Sequence, residues 1–213
     1  YLKLLRQACD KYNIHLIADE IAVGFGRTGT MFAYEQSKIT PDIICLSKGI
    51  TGGYMTLSTI LTTDNIYNAF YDEYIKLNAF LHSHSYTANP IACATANASL
   101  DLFEKNNTLN NNKILSKYIL ESLSDLWNHP NVGDIRQHGM ITAVEMVKNK
   151  TKKIPFNWKE RRGLKAYNFG LKHNVLIRPL GNVIYFMPPY IIKKKEIDLV
   201  TNTIKGAIDF ATK

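Results

Sequence analysis

The sequence predicts an α/β fold followed by a smaller α+β unit. Two short apolar runs, residues 16–19 and 43–47, are continuous rather than alternating, as is typical of buried parallel strands. Helix-like segments flank both runs, and an asparagine-rich stretch at 106–112 then separates them from a second set of strands and helices. These observations predict a mostly parallel sheet in residues 1–106 and a small α+β domain in residues 107–213.

Helices and strands are expected to alternate in the first part. The chain opens on an amphipathic helical pattern, the β-branched stretch at 57–62 favours a strand, and Asn89-Pro90 suits the cap and first position of a helix. In chain order we predict a helix from residue 1, a strand at 16–19, a glycine loop at 24–29, a short helix at 31–36, a strand at 43–47, a loop at 49–53, a strand at 57–62, a helix at 65–74 and a long helix from Pro90.

The second part is predicted to hold two helices around two strand pairs. Its elements are a helix at 113–127, strands at 132–136 and 140–146, a strand pair over 177–187 that turns at 180–182, and a closing helix at about 194–210.

Composition favours an ordinary globular enzyme or binding domain. Of 213 residues, 46% are hydrophobic and 21% charged, and no apolar run approaches the roughly 18 residues of a membrane span. The formal net charge is +8, but the lysines are scattered, and Lys193–Lys195 leads directly into Glu196. This pattern indicates a solvated helix start rather than a nucleic-acid surface.

The cysteines predict the cellular compartment, and the first residues predict where the chain begins within a domain. Cys9, Cys45 and Cys93 are odd in number, far apart and in apolar surroundings, so we expect reduced cysteines, a cytoplasmic location and no metal site. The chain has no signal peptide, starts without Met and enters a helix without a cap. We therefore expect it to begin inside a domain of a longer protein.

Two charged residues follow the apolar runs. Asp19 ends the first and Lys48 follows the second, and ligands of open α/β sheets bind at the carboxyl ends of strands. A lysine after a buried strand is costly unless it is used, and an amine near a carboxylate is what pyridoxal phosphate requires. Ile21 shares the strand face of Asp19 and could cover the ring. The alternatives are an Asp that caps the next loop and a Lys that reaches solvent.

Two further sites are weaker. The hydroxyls of residues 83–87 precede a helix N-terminus, where a phosphate binds well, and simple capping of the helix is the alternative. His82 and His84 could also form a metal pair, but no carboxylate accompanies them. Arg178, held before Pro179, could offer a rigid fork to a substrate carboxylate, or could be a surface arginine.

Residues 16–29, 41–43 and 47–53 resemble the class III pyridoxal-phosphate aminotransferases of fold type I, and the resemblance extends over nearly the whole chain. Residues 51–58 depart from the proline-containing form of the ornithine and acetylornithine members. Residues 177–192 are similar to members that transfer an amino group from S-adenosylmethionine to 8-amino-7-oxononanoate in biotin synthesis.

The resemblance implies roles for six residues around the cofactor and substrate. Lys48 would be the Schiff-base lysine and proton carrier, and Asp19 would hold the pyridinium nitrogen while Ile21 packs on the ring. The remaining members of the set bind substrate: Arg178 would take the carboxylate of the oxononanoate, and Tyr185 and Gly53 would line its pocket.

The resemblance also implies a homodimer with shared active sites. The family's H-G-x-T-[FY] stretch, which contacts the cofactor phosphate of the partner subunit, reads His82-Ser83-His84-Ser85-Tyr86 here, so that role falls to Ser85 and Tyr86. The family's N-terminal half, with the phosphate loop, does not precede Tyr1. The alternatives are another class III activity, with lysine as the donor or an ω-amino acid as substrate, and an inactive fragment.

Overall fold

The computed structural model describes residues 1–213 as two compact units, Tyr1–Leu109 and Asn110–Lys213. The division falls within the asparagine-rich stretch. Each unit has its own sheet and its own apolar core. None of the helices is long and apolar enough to cross a membrane.

The first unit is built on a three-stranded sheet of order β1-β2-β3. Its strands are β1 (Ile17–Asp19), β2 (Ile43–Leu46) and β3 (Thr59–Thr62). β1 and β2 are parallel, as predicted, but β3 runs antiparallel to β2. The prediction of a mostly parallel sheet therefore holds only for the β1–β2 pair, because residues 47–58 connect β2 to β3 through a 3₁₀ turn and a loop rather than a crossover helix.

Three helices accompany this sheet: α1 (Leu2–Tyr12), α2 (Asp64–Asn68) and α3 (Pro90–Lys105). Single 3₁₀ turns at Ala33–Ser37, Lys48–Thr51 and Tyr74–Lys76 complete the unit. The short helix near residue 31 and the loop near residue 49 are thus 3₁₀ turns, and the helix predicted to reach residue 74 ends at Asn68.

The amino ends of β1 and β2 are joined by a side-chain clamp. Oδ2 of Asp42, the residue before β2, accepts hydrogen bonds from Nη1 of Arg6 and from the backbone N–H of Leu16, both at 2.7 Å. The Arg6 bond, and then the Leu16 bond, lower the pKa of Asp42. Because Leu16 directly precedes β1, the clamp helps to fix the register in which Ile17 faces Ile43.

The second unit contains a five-stranded sheet of order β4-β5-β8-β7, with β6 paired to β5. All of its strand pairs are antiparallel. The strands are β4 (Val132–His138), β5 (Ile141–Asn149), β6 (Ile154–Pro155), β7 (Arg178–Leu180) and β8 (Val183–Phe186).

Three helices belong to this part of the chain: α4 (Thr108–Ser122), α5 (Arg162–Lys172) and α6 (Lys194–Thr212), with 3₁₀ turns at Ser124–Asn128 and Trp158–Glu160. The core packs α6 and α4 against the sheet, with Ile119, Met140 and Ile197 completely buried. The sequence analysis placed the start of α4 five residues too late and did not foresee β6 or α5.

Candidate functional site

The parallel pairing of β1 and β2 brings Asp19 and Lys48 to the same edge of the sheet. Asp19 is the last residue of β1 and lies opposite Cys45 of β2, and Lys48 follows two residues after β2 ends. A backbone hydrogen bond from Glu20 N–H to the Cys45 carbonyl extends the pairing past Asp19. Since both strands point the same way, both side chains emerge at the carboxyl edge, where ligands of such sheets bind.

Lys48 starts a 3₁₀ turn in a left-handed conformation with φ of 45°. This conformation is uncommon for a residue with a side chain and is found at functional sites. Ser47 anchors the turn by donating its hydroxyl to the Leu57 carbonyl at 2.7 Å. The amine of Lys48 has no hydrogen-bond or ion-pair partner.

The expectation that Lys48 and both strands are buried is wrong in part. Leu46 at the end of β2 is 4% exposed, but Lys48 and Asp19 are exposed, and Ile17 of β1 is more than half exposed. An apolar run predicts a strand that can be buried on both faces. It does not predict where in the sequence the elements that cover those faces lie. The argument from the cost of burying Lys48 therefore does not apply here.

Asp19 is held by a local turn. Its Oδ1 accepts the N–H of Ile21 at 3.0 Å, which leaves Oδ2 free at the sheet edge. Ile21 is half-buried beside it, in the turn that continues to the glycine loop. The carboxylate can thus accept one further hydrogen bond, such as that of a protonated ring nitrogen.

Ser85 and Tyr86 lie on an exposed turn just before α3. Asn89 caps α3 as predicted, since its side chain accepts the N–H groups of Ile91 and Ala92, and Pro90 is the first helical residue. The hydrogen bonds of the Ser85 turn stay within the turn, as in the bond from Tyr86 N–H to Nδ1 of His84. The structure does not bring Ser85 or Tyr86 into contact with Asp19 or Lys48.

Arg178 and Tyr185 are direct cross-strand partners in the β7–β8 hairpin. Opposite residues of an antiparallel pair project from the same face, so the guanidinium and the phenol are neighbours. Both line an open cavity of about 600 Å³, together with Tyr167 of α5 and the apolar side chains of Leu176 and Leu180. A positive fork with two phenols and apolar walls suits an aliphatic carboxylate.

Gly53, expected to line the substrate pocket, is exposed in a left-handed conformation with φ of 88°. A Cβ at this position would contact nothing within 4 Å, so backbone conformation rather than space favours glycine. No group of three or more His, Cys, Asp or Glu side chains is arranged to hold a metal ion.

The sequence analysis assigned no role to two residues at these sites. Glu20 is 3% exposed, and its carboxylate accepts the N–H groups of Ala33 and Tyr34, which begin a 3₁₀ turn. Burial, and then the charges of Glu35 and Glu20, raise the pKa of Tyr34. The role of Glu20 depends on its burial, which the sequence does not show. Tyr167 lies on α5, a helix that was not predicted.

The comparisons with known proteins agree on one family. The model of the class III aminotransferases matches residues 1–208. The adenosylmethionine-8-amino-7-oxononanoate aminotransferase of Geobacter sulfurreducens is 48% identical over 100% of this chain and 47% of its own length. The chain thus spans about half the length of the curated relatives that it matches.

Solved structures show the same likeness. The crystal structure of the enzyme of that name from Methanocaldococcus jannaschii has a TM-score of 0.93 at 38% identity, over 98% of this chain and 49% of that one. An ω-transaminase from Pseudomonas jessenii in complex with PMP has a TM-score of 0.92 at 30% identity, over 99% and 46%.

Proposed function

The chain belongs to the class III aminotransferase family, whose members depend on pyridoxal phosphate, and we propose that it carries the lysine and aspartate of such a site. The observation that carries the proposal is the parallel β1–β2 register, which puts Asp19 and Lys48 at one sheet edge. We assign residues 1–106 to the cofactor domain and residues 107–213 to the small domain.

The residues present at this edge fit the cofactor. The Lys48 amine has no competing partner, and one carboxylate oxygen of Asp19 is free to accept a hydrogen bond. Ile21, on the turn that follows, offers an alkyl surface. A neutral ligand without an amine-reactive group would make no use of this combination.

Each residue has a separate task in the proposed reaction. Pyridoxal phosphate, when bound, supplies an amine-reactive carbonyl and an electron-accepting ring. Asp19 would keep a proton on the ring nitrogen, because a carboxylate nearby favours the charged form of that nitrogen. Lys48 Nζ would hold the cofactor covalently, and its amine, when free, would carry a proton between substrate and cofactor.

For the substrate, we propose 8-amino-7-oxononanoate with S-adenosylmethionine as the amino donor, in biotin synthesis. Relatives of that name match the chain at 38–51% identity. The cavity beside Arg178 and Tyr185 supports a substrate with a carboxylate on an aliphatic chain. Arg178 would bind the carboxylate in a bidentate manner, and Tyr185 would add a hydroxyl donor.

We also propose that the full-length protein is a homodimer whose subunits share active sites. Ser85 and Tyr86 are exposed and make no contact with Asp19 or Lys48 of their own chain. A hydroxyl just before the N-terminus of α3 can donate to a phosphate, helped by the helix dipole. In the dimer, Ser85 and Tyr86 would complete the cofactor site of the partner subunit.

The first test is a visible absorption spectrum of the full-length protein with pyridoxal phosphate, before and after S-adenosylmethionine is added. We expect a band of bound cofactor that bleaches with the donor and is lost in Lys48→Ala. Lys38→Ala is the matched control, because Lys38 is also exposed and left-handed, with φ of 51°. A normal band in Lys48→Ala would overturn the assignment, and a band unaffected by S-adenosylmethionine would point to lysine or another amine.

The second test addresses the substrate. Arg178→Ala should raise KM for 8-amino-7-oxononanoate at least tenfold, since a lost charge-assisted contact is worth about 1.5–3 kcal/mol. Arg161→Ala, a change of an exposed arginine in the same unit, should leave KM unchanged. An unchanged KM in Arg178→Ala would show that Arg178 does not bind this carboxylate and would overturn the substrate assignment.

A further inference from the structure

A loop of residues 21–34 follows Asp19 and Glu20. This loop contacts the turn that carries Lys48, so the two proposed site residues are connected through side chains as well as through the sheet. We propose that Glu20, Phe25 and Gly49 form a positioning brace that sets where Lys48 stands relative to Asp19. The inference rests on the proposed function, since it concerns the placement of that same pair.

One end of the brace is Glu20, the residue next to Asp19. Its backbone N–H bonds to the Cys45 carbonyl of β2 at 3.0 Å, and its own carbonyl accepts Gly24 N–H at 2.8 Å. Both oxygens of its buried carboxylate accept backbone N–H groups at 2.9 Å, from Ala33 and Tyr34. Glu20 therefore closes the loop of residues 21–34 onto the end of β1 and leaves it little freedom.

The other end is the contact between Phe25 and Gly49, the residue next to Lys48. Phe25 is 3% exposed and left-handed, with φ of 55°, and its ring lies edge-on to Phe32 at 5.6 Å between centroids. A Cβ built on Gly49 would lie 3.0 Å from Cβ and 3.1 Å from Cδ2 of Phe25. The phenylalanine thus packs against a position that only glycine can occupy without displacement.

The contact between Phe25 and Gly49 should set the position of Lys48 without affecting that of Asp19. Lys48 has a left-handed φ and an exposed side chain without partners, so its own contacts do not fix its position. The Phe25–Gly49 contact lies one residue away in the chain and is buried in the core with Leu46, Ile50 and Ala96. A shift of Gly49 away from Phe25 would move Lys48 while leaving Asp19 in place.

The test uses the full-length protein and three variants. Gly49→Ala introduces the close contact, Phe25→Leu removes the aromatic ring that packs against Gly49, and Gly206→Ala is the matched control. A Cβ on Gly206 would likewise lie 3.0 Å from a phenylalanine ring, that of Phe169, but in the second unit. Circular dichroism and melting temperature establish that each variant is folded.

Three readouts report on Lys48 without relying on turnover. Two of them are the dissociation constant for pyridoxal phosphate and the pH midpoint of its visible band. The third is the rate at which acetic anhydride labels Lys48 in the cofactor-free protein, measured by mass spectrometry relative to Lys38. The labelling rate tests the brace even if the wild-type protein binds no pyridoxal phosphate, an outcome that would refute only the proposed function.

We expect Gly49→Ala to weaken cofactor binding about tenfold, to shift the pH midpoint and to change the relative labelling of Lys48. Phe25→Leu should change the same three readouts, because leucine cannot reproduce the ring contact with Gly49, and Gly206→Ala should change none of them. Folded Gly49→Ala protein with wild-type affinity, midpoint and labelling would overturn the brace. Folded Phe25→Leu protein with wild-type values of all three would do the same.

Discussion

Asp42→Asn tests whether the clamp at the amino ends of β1 and β2 stabilises the sheet that carries the site. Asp42 and Asp10 both receive a 2.7 Å bond from the guanidinium of Arg6. The Asp42 side chain is 26% exposed and also accepts the Leu16 N–H, whereas Asp10 is 64% exposed and bonds to Arg6 alone. The same substitution at the two positions therefore separates a clamp from a surface ion pair.

The expected free-energy changes differ several-fold. An asparagine at position 42 keeps an oxygen for the Leu16 N–H but loses the charge, so the charge-assisted bond to Arg6 is weakened at a cost of about 2 kcal/mol. Asp10→Asn should cost roughly 0.3 kcal/mol, as is usual for exposed pairs within one helix. The first loss corresponds to about a 30-fold change in an opening equilibrium.

Amide hydrogen exchange is the suitable assay, because both tryptophans, Trp127 and Trp158, lie in the second unit and their fluorescence would not report on the first. The N–H groups of Glu20 and Ile43, bonded to Cys45 and Leu16, report on the β1–β2 pair. Their protection factors, corrected for intrinsic rates, should fall strongly in Asp42→Asn and little in Asp10→Asn.

The contribution of Asp42 to stability should depend on pH in a defined direction. Folding lowers the pKa of Asp42 from its usual 3.8, so the clamp stabilises the native state fully above that value and is lost as pH falls through the folded-state pKa. The difference between wild type and Asp42→Asn should be constant from pH 7 to about 5 and should shrink as pH falls below 3.8 through the folded-state pKa. Equal losses in the two variants, or a difference that grows as the pH falls below 3.8, would refute the reasoning.

Three further predictions concern stability. Gly163→Ala should destabilise the second unit by about 2 kcal/mol, because its Cβ would lie 2.4 Å from the Gly181 carbonyl, and urea unfolding followed by tryptophan fluorescence measures this. Asn89→Ala should cost about 1 kcal/mol through loss of the α3 cap, seen as faster amide exchange in the first turn, whereas Asn89→Asp should not. The bond from Tyr118 to Asp198 raises the pKa of the phenol, so wild-type stability should fall more steeply than that of Tyr118→Phe as pH rises above 10 in urea titrations.

The strand pair at the site was predictable because its signal is local. The run Ile43–Leu46 is apolar without interruption and is followed by a lysine, and the Ile17–Asp19 run ends on an aspartate in the same way. Parallel pairing of two such runs places their final residues at one edge whatever surrounds them. The exposure of that edge was not predictable, since it depends on which elements cover the strands.

The helix α5 was missed for a different physical reason. Gly163 and Gly170 lie within it, and a glycine inside a helix costs about 1 kcal/mol relative to alanine, so the local pattern argues against a helix. Gly163 is instead required by packing against the strand that carries Arg178, since its Cβ would lie 2.7 Å from Cβ of Pro179. Gly170 is required by the turn that follows the helix, since its Cβ would lie 2.7 Å from the Val175 carbonyl.

The same reasoning explains how two very short strands can hold the proposed pair of site residues, Asp19 and Lys48. β1 has three residues and β2 four, so the hydrogen bonds between them cannot by themselves resist a shift in register. Asp42 fixes the amino ends through Arg6 and Leu16, and Glu20 fixes the carboxyl ends through the loop behind Asp19. Both acids accept backbone N–H groups with their side chains, a task that asparagine or glutamine can perform only in part. Placement of the Lys48 amine therefore depends on two carboxylates that take no part in the proposed chemistry, and the residues most sensitive to substitution extend beyond those that contact the cofactor.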